Sequence, residues 1–235
     1  MPDLARRATA EAVGTAFLVA IVVGSGIAAQ RLSPGNLGLE LLENSTATGA
    51  GLVALILALG PISGAHFNPI VTLADRIHGR ISNRDAAVYA GAQIAGAGTG
   101  AIVANLMFGL SAVTLSTHAR SSGALWLGEA VATFGLLVII LGVVHEPHPA
   151  VGAFAVGAYI AAAYWFTSST SFANPAVTIG RTLTNTFAGI RPSSAPPFVV
   201  AQLAGGIAAV ALGRWWYANE PEAELVLPHD RSEPV

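Results

Sequence analysis

Two stretches of this chain read as copies of each other. Gly64-Ala65-His66-Phe67-Asn68-Pro69-Ile70-Val71-Thr72 and Thr170-Ser171-Phe172-Ala173-Asn174-Pro175-Ala176-Val177-Thr178 share Asn-Pro-x-Val-Thr. Asn is a favoured helix N-cap, and a proline at the next position has its φ already set for a first helical turn. Each stretch is therefore irregular backbone feeding a helix that starts at the proline. Apolar segments flank both, which puts the two helix starts at membrane depth. Irregular backbone is tolerated there only where protein buries it or where it lines a water-filled cavity. A lone Asn-Pro would be an ordinary helix start; two copies, one in each hydrophobic half, constrain the fold much more tightly.

The membrane assignment rests on composition. Of 235 residues, 53% are hydrophobic and 10% charged, against about 25% charged in a soluble domain. The chain has no cysteine, which excludes disulfides, thiol chemistry and Cys-ligated metal. A net charge of −2 argues against a nucleic-acid partner. The run after Arg6 and Arg7 resembles a signal peptide at first sight, but its length of about twenty residues suits a spanning anchor. Six spanning segments are expected, over about Ala8 to Ala29, Asn44 to Leu59, Arg84 to Phe108, Leu125 to Val144, Ala150 to Thr167 and Pro197 to Tyr217. The first Asn-Pro element follows the second segment, after a helix break at Pro61 to Gly64, and the second follows the fifth. Polar loops are expected over 31–43 and 109–123.

The halves repeat beyond those elements. Glu11-Ala12-Val13-Gly14-Thr15 matches Glu129-Ala130-Val131-Ala132-Thr133, and Ala92-Gln93-Ile94-Ala95-Gly96 matches Ala201-Gln202-Leu203-Ala204-Gly205. We divide the chain into a first repeat at 1–115, a second at 116–218 and a disordered acidic tail at 219–235. Three spans per half is an odd number, so the second half enters from the opposite face, which makes an inverted repeat. All basic residues are Arg. With both termini cytoplasmic, Arg6, Arg7, Arg76, Arg80, Arg84, Arg214 and Arg231 lie inside, against Arg31, Arg120, Arg181 and Arg191 outside, in agreement with the positive-inside rule.

Lengths then fix a geometry. Each Asn-Pro helix has room for about ten residues, or about 15 Å, half of a hydrocarbon core of about 30 Å. Two such half-helices entering from opposite faces meet N-terminus to N-terminus, each carrying roughly +0.5 charge. Such a centre repels cations and suits neutral polar solutes.

With Glu11, Glu129, Ser63-Gly64-Ala65-His66-Phe67-Asn68-Pro69 and Asn174-Pro175-Ala176 in place over about residues 8 to 217, the chain resembles the major intrinsic protein family, the aquaporins and aquaglyceroporins. The resemblance implies an all-α membrane protein of six tilted transmembrane helices plus two re-entrant half-helices, a homotetramer with one pore per subunit, set in a cell inner membrane. It implies that Asn68 and Asn174 donate to the solute at the pore midplane. Carbonyls around Gly64, Ala65, His66, Thr170, Ser171 and Phe172 would accept from it along the pore lining, where Val71 also stands. Glu11 and Glu129 would brace the non-helical loops, a role that accounts for two carboxylates placed at a cost of about 2.5–3.5 kcal/mol each.

The family's outer selectivity filter has four positions, which by its spacing fall on Thr48, Ala162, Ser171 and Val177. Most members carry Arg at the last and an aromatic at the first; both are absent here. Ile70 replaces the usual Ala of the first Asn-Pro-Ala. A small, uncharged filter of hydroxyls and methyls implies a wide pore. It resembles the bacterial aquaglyceroporin branch linked to arsenic-resistance operons, which passes neutral trivalent and methylated arsenicals besides glycerol-like polyols and water. Arg181, one turn beyond Val177, is expected to snorkel to the headgroups.

The leading function is thus a passive channel for small uncharged solutes, with a water-selective pore as the near alternative. An ion-coupled secondary transporter, which also uses inverted repeats, would need titratable groups at the midplane; Glu11, Glu129 and His66 are the candidates. No Ser-His-Asp set, metal cluster or carboxylate pair supports an enzyme, and no cofactor or metal is expected. His145, Glu146 and His148 read as a solvated turn, and Trp126, Trp165 and Trp215 as interfacial.

Overall fold

The computed structural model describes residues 2–144 and 148–218. His145 and Glu146 of the polar turn, and the tail 219–235, lie outside them. The chain forms helices α1 (Leu4–Leu32), α2 (Leu37–Ser63), α3 (Pro69–Ile77), α4 (Asn83–Met107), α5 (Gly123–Val143), α6 (Pro149–Phe166), α7 (Pro175–Gly180) and α8 (Ala195–Trp216), with short 3-10 turns at Arg181–Leu183 and Pro192–Ser194. Among the described residues there is no strand.

Five of these helices are long and apolar enough to cross a membrane: α1, α2, α4, α5 and α8. The sixth, α6, has 18 residues, about 27 Å of helix, and carries no charge. Large apolar side chains face outward around the bundle, among them Phe17, Leu57, Leu106, Leu127, Phe154, Val200 and Ile207. The chain is a multi-pass membrane protein.

Two element boundaries differ from the sequence expectation. The loop predicted over 31–43 is confined to four residues, because Asn36 caps α2 by accepting from Leu39 N–H and starts that helix a full turn and more early. Pro61 does not break α2 either. It sits in the last turn, and the helix stops two residues later where Gly64 adopts φ 84°, the left-handed cap conformation that glycine favours.

Small residues set the helix crossings. On α4, a Cβ at Gly96 or Gly100 would collide with the carbonyls of Ala12 and Ala16 on α1; on α8, a Cβ at Gly205 would collide with the carbonyl of Ala130 on α5. In lipid, close backbone approach of this kind drives association where a hydrophobic gain is missing. The α1–α4 and α5–α8 crossings use matched positions of the two repeats. They seat Gln93 and Gln202, both fully buried, beside Glu11 and Glu129.

Candidate functional site

The two loops that precede α3 and α7 share a strained backbone. Ala65 and Phe67 in the first, and Thr170, Ser171 and Ala173 in the second, have φ between 47° and 62°. For residues with a Cβ this costs of order 1–3 kcal/mol each and persists only where the surroundings over-determine it. Two buried carboxylates do so. Glu11 Oε1 accepts from Ser63 Oγ at 2.6 Å and His66 N–H at 3.0 Å, and its Oε2 accepts from Phe67 N–H at 2.7 Å and Gln93 Nε2 at 2.8 Å. Glu129 repeats the pattern: Oε1 accepts from Phe172 N–H at 2.8 Å, and Oε2 from Ala173 N–H at 3.0 Å and Gln202 Nε2 at 2.6 Å. Each Gln also donates to the Thr of its Asn-Pro-x-Val-Thr, Thr72 at 3.0 Å and Thr178 at 2.9 Å. Glu, Gln and Thr form one network in each half. It explains why all three residue types recur at matching places in the sequence.

Both asparagines cap their helices. Asn68 Oδ1 accepts from Ile70 N–H at 2.9 Å, and Asn174 Oδ1 accepts from Ala176 and Val177 N–H at 3.0 and 3.3 Å. Their amides reach across to the other half: Asn68 Nδ2 donates to Ala173 O and Asn174 Nδ2 to Phe67 O, each at 2.8 Å. The two half-helices are thus tied N-terminus to N-terminus by a reciprocal pair of hydrogen bonds. An amide has two N–H donors, so each Asn keeps one for another partner.

A cavity runs past this junction. Its volume is about 60 Å³, room for several waters at ~10–15 Å³ of water-centre space each. Ala65, His66, Phe67, Asn68 and Val71 line it from the first element, and Ser171, Phe172, Ala173, Asn174, Val177 and Arg181 from the second. Thr48 and Leu52 of α2 and Ile160 and Tyr164 of α6 complete the wall with Leu18, Leu136 and Ile140. Both positive helix ends face this space, and most of the wall is aliphatic. Gly64 and Thr170 stand one residue before the loop residues that line it.

Two sequence expectations, for Ala162 and Arg181, need revision, and the place of Ile70 is now fixed. Ala162 is exposed on the far side of α6, outside the cavity. A helix turns about 100° per residue, so Ile160 and Tyr164, two residues either way, face the cavity in its place. Tyr164 OH lies 3.3 Å from Thr48 Oγ1. Arg181 does not snorkel outward. It is 2% exposed, its Nε donates to Ala188 O, and its guanidinium lies 3.4 Å from the centroid of the Phe172 ring. The segment 184–190 folds back over α7 and encloses it, an arrangement with no local sequence signature. Ile70 turns away from the cavity, toward Gly206 of α8.

His66 lines the cavity with its Nδ1 3.1 Å from Thr72 Oγ1 and its Nε2 3.6 Å from Asp75 Oδ2. Asp75 also lies 3.7 Å from Arg80 Nη1. His148 precedes α6 as an exposed residue. Trp126, Trp165 and Trp215 are all partly exposed near helix ends. Among the described residues no group of His, Asp and Glu is placed to hold a metal.

Comparison with known proteins agrees with this architecture. The profile described as "Major intrinsic protein" matches residues 1–162 and 147–232. The chain is 53% identical over 213 residues, 91% of each chain, to "Aquaglyceroporin AqpS" of Rhizobium meliloti. It is 31% identical to "Probable aquaporin AqpM" of Archaeoglobus fulgidus over 89% of this chain and 96% of the other. Among solved structures, the X-ray structure of the aquaglyceroporin from Plasmodium falciparum matches with a TM-score of 0.70 over 93% of this chain and 97% of the other, at 21% identity.

Proposed function

This chain belongs to the major intrinsic protein family, and we propose that within it the chain works as a wide-filter aquaglyceroporin. It is a channel for small solutes and not an enzyme. Its solutes in this proposal are glycerol-like polyols, neutral trivalent or methylated arsenicals, and water. One observation carries this reading. At the positions where most of the family presents Arg and an aromatic, the cavity wall presents Val177 and Thr48, with Ser171 beside them, while the guanidinium of Arg181 and the ring of Tyr164 enter the same wall from other positions. A relative named as an aquaglyceroporin at 53% identity supports it.

In this reading a solute sheds water as it enters the cavity and exchanges it for the free N–H donors of Asn68 and Asn174 and the carbonyls of the strained loops. Those groups are fixed in advance by Glu11 and Glu129, so little ordering remains to be done as a solute passes. The half-helix dipoles set the penalty for cations. The protein is taken as a homotetramer in the inner membrane with both termini cytoplasmic, its two repeats at 1–115 and 116–218. The solute moves down its gradient. His66 serves as a wall residue with its imidazole beside Thr72 and Asp75, and Glu11 and Glu129 are engaged by their loops, which argues against ion coupling.

Stopped-flow uptake by proteoliposomes, read across water, glycerol, a four-carbon polyol and neutral arsenous acid, tests the proposal. Uptake of glycerol and arsenous acid well above empty vesicles, unaffected by a protonophore, is expected. Uptake of water alone returns the chain to the water-selective class, and a protonophore-sensitive flux returns it to the coupled transporters.

A further inference from the structure

Where α3 and α8 finish, the arginines are only partly matched by carboxylates. Asp75 stands 3.7 Å from Arg80, and Asp85 pairs with Arg7 at 2.6 Å. Arg76, Arg84 and Arg214 have no carboxylate within ion-pair distance among the described residues. These three lie on one face. Arg214, in the last turn of α8, donates to Ile77 O at 3.0 Å, which sets it against the end of α3 beside Arg76. Arg76 Nε donates to Asn83 Oδ1, and Asn83 precedes Arg84 at the start of α4. Arg84 and Arg214 are exposed. The face also borders the cavity: α3 runs to it from Asn68 on the wall, and Asp75 links Arg80 to His66, another wall residue.

A second observation is in the sequence. Residues 219–235 continue the chain beyond α8 and carry Glu220, Glu222, Glu224, Asp230 and Glu233 against Arg231. Glu220 to Glu224 follow Ala218, where the described residues end, within about 20 Å of chain at ~3.3–3.6 Å per residue. Arg214 stands just before Ala218, so the acidic run begins beside the arginine face. A ligand on a short tether acts at an effective concentration of order millimolar. At that concentration exposed ion pairs, each weak alone, add up to occupancy.

We propose that the acidic run Glu220–Glu224 docks on Arg76, Arg84 and Arg214 of the same chain and is the counter-charge of that face. The proposal goes beyond the channel reading, since it gives a surface an intramolecular partner and requires no particular solute. Docked, the run offsets the positive charge at this end of the cavity, and a neutral solute passes a rim of low net charge. Anionic lipid headgroups and a second copy of the chain are the competing occupants.

The chain has no cysteine, so Ala223→Cys supplies a single thiol for a nitroxide. Its spectrum is recorded on the full chain in phosphatidylcholine vesicles. An immobilised component is expected at low salt. It should fall at least about threefold in Arg76→Gln/Arg84→Gln and in Glu220→Gln/Glu222→Gln/Glu224→Gln, each of which removes several weak pairs. It should fall likewise at about 1 M salt, where the screening length is about 3 Å. The glutamate substitutions lie beyond α8, which keeps the test independent of how the arginine variant folds. Immobilisation that is absent from the parent, or that survives either set of substitutions, overturns the docking. So does its loss when phosphatidylglycerol is added, which gives the arginines to headgroups. Its return in the labelled arginine variant on assembly with excess unlabelled parent chains gives the run to a second copy and also overturns the proposal. The spectrum does not depend on flux, so the docking and the channel reading fail separately.

Discussion

The two Asn-Pro elements are built on one frame and lined with different chemistry. Glu11, Gln93 and Thr72 hold the first as Glu129, Gln202 and Thr178 hold the second, with Ser63 Oγ as one further donor to Glu11. Beyond the caps the copies diverge. The first continues for nine residues and carries His66 on a Thr72–Asp75 pair, with Arg80 on the far side of Asp75. The second is six residues plus a 3-10 turn, and carries Arg181 stacked on Phe172 with no acidic partner within ion-pair distance among the described residues. The difference separates two tasks. Strained loops at membrane depth require the same carboxylate in both halves. The residues that differ, His66 and Arg181 among them, give the cavity wall different chemistry in the two halves.

The largest effects should come from breaking the shared frame. Glu129→Ala would leave Phe172 N–H, Ala173 N–H and Gln202 Nε2 without an acceptor, at about 1–3 kcal/mol for each buried donor. Glu11→Ala orphans four donors in the same way. Both variants are expected to lose most folded protein, by comparable amounts, as read from detergent-stable yield and thermal unfolding. A large inequality between them would break the equivalence of the two frames.

Next come the caps. Asn174→Ala removes the N-cap of α7, worth about 0.5–2 kcal/mol, and the tie to Phe67 O. Asn68→Ala does the same for α3 and Ala173 O. Each should lower glycerol flux per folded protein, and α7, the shorter helix, should suffer the greater loss of stability. Normal flux at equal protein level would detach these asparagines from the solute path.

Much of this was legible in the sequence because it is repeated. Asn-Pro-x-Val-Thr, the Glu near each half's first span and the Gln near its last recur in one order, and each copy corroborates the other. What failed was unrepeated or depended on rotation. Ala162 came from counting along a helix, where an error of two residues turns a side chain by about 200° to the opposite face; Tyr164 is the residue that faces the cavity. Arg181 was misplaced because its enclosure depends on the 184–190 segment folding back, with Arg120 donating into it from another loop. Neighbouring residues along the chain do not encode that contact.

A smaller effect tests the lining at a position the two halves share, the Val of Asn-Pro-x-Val-Thr. Val177→Arg, at matched expression, places bulk and charge one turn inside Arg181. Glycerol permeability is expected to fall at least about tenfold, the factor that ~1.4 kcal/mol of added barrier supplies, while water falls much less. The two arginines would then stand one turn apart on a short helix, so added salt should partly relieve any loss of folded protein by screening their repulsion. A variant that conducts glycerol as well as the parent would take Val177 out of the filter.

The smallest expected effect belongs to Ile70. It is the residue that breaks the match between the two Asn-Pro triplets, since Ala176 stands in its place in the second, and a bulky side chain beside the first turn suggests a narrowed pore. The geometry argues otherwise. Ile70 is 2% exposed, it is absent from the cavity wall, and a Cβ at Gly206 of α8 would collide with its Cγ2. The bulk is thus accommodated by a buried glycine on α8, so the exception concerns packing rather than passage. Ile70→Val should cost about 0.5–1.5 kcal/mol of stability, the usual range for that truncation in a packed core. Glycerol and water permeabilities per folded protein should stay within about twofold of the parent, a change of less than ~0.5 kcal/mol in the barrier. Gly206→Ala should destabilise more, because its Cβ would meet Ile70 Cγ2 at 2.5 Å and a buried β-branched side chain is stiff at χ1, and Ile70→Ala combined with it should recover part of that loss. A rise in glycerol flux in Ile70→Val would show that this side chain does intrude on the path, and the division between a common frame and a divergent lining would have to be redrawn to include it.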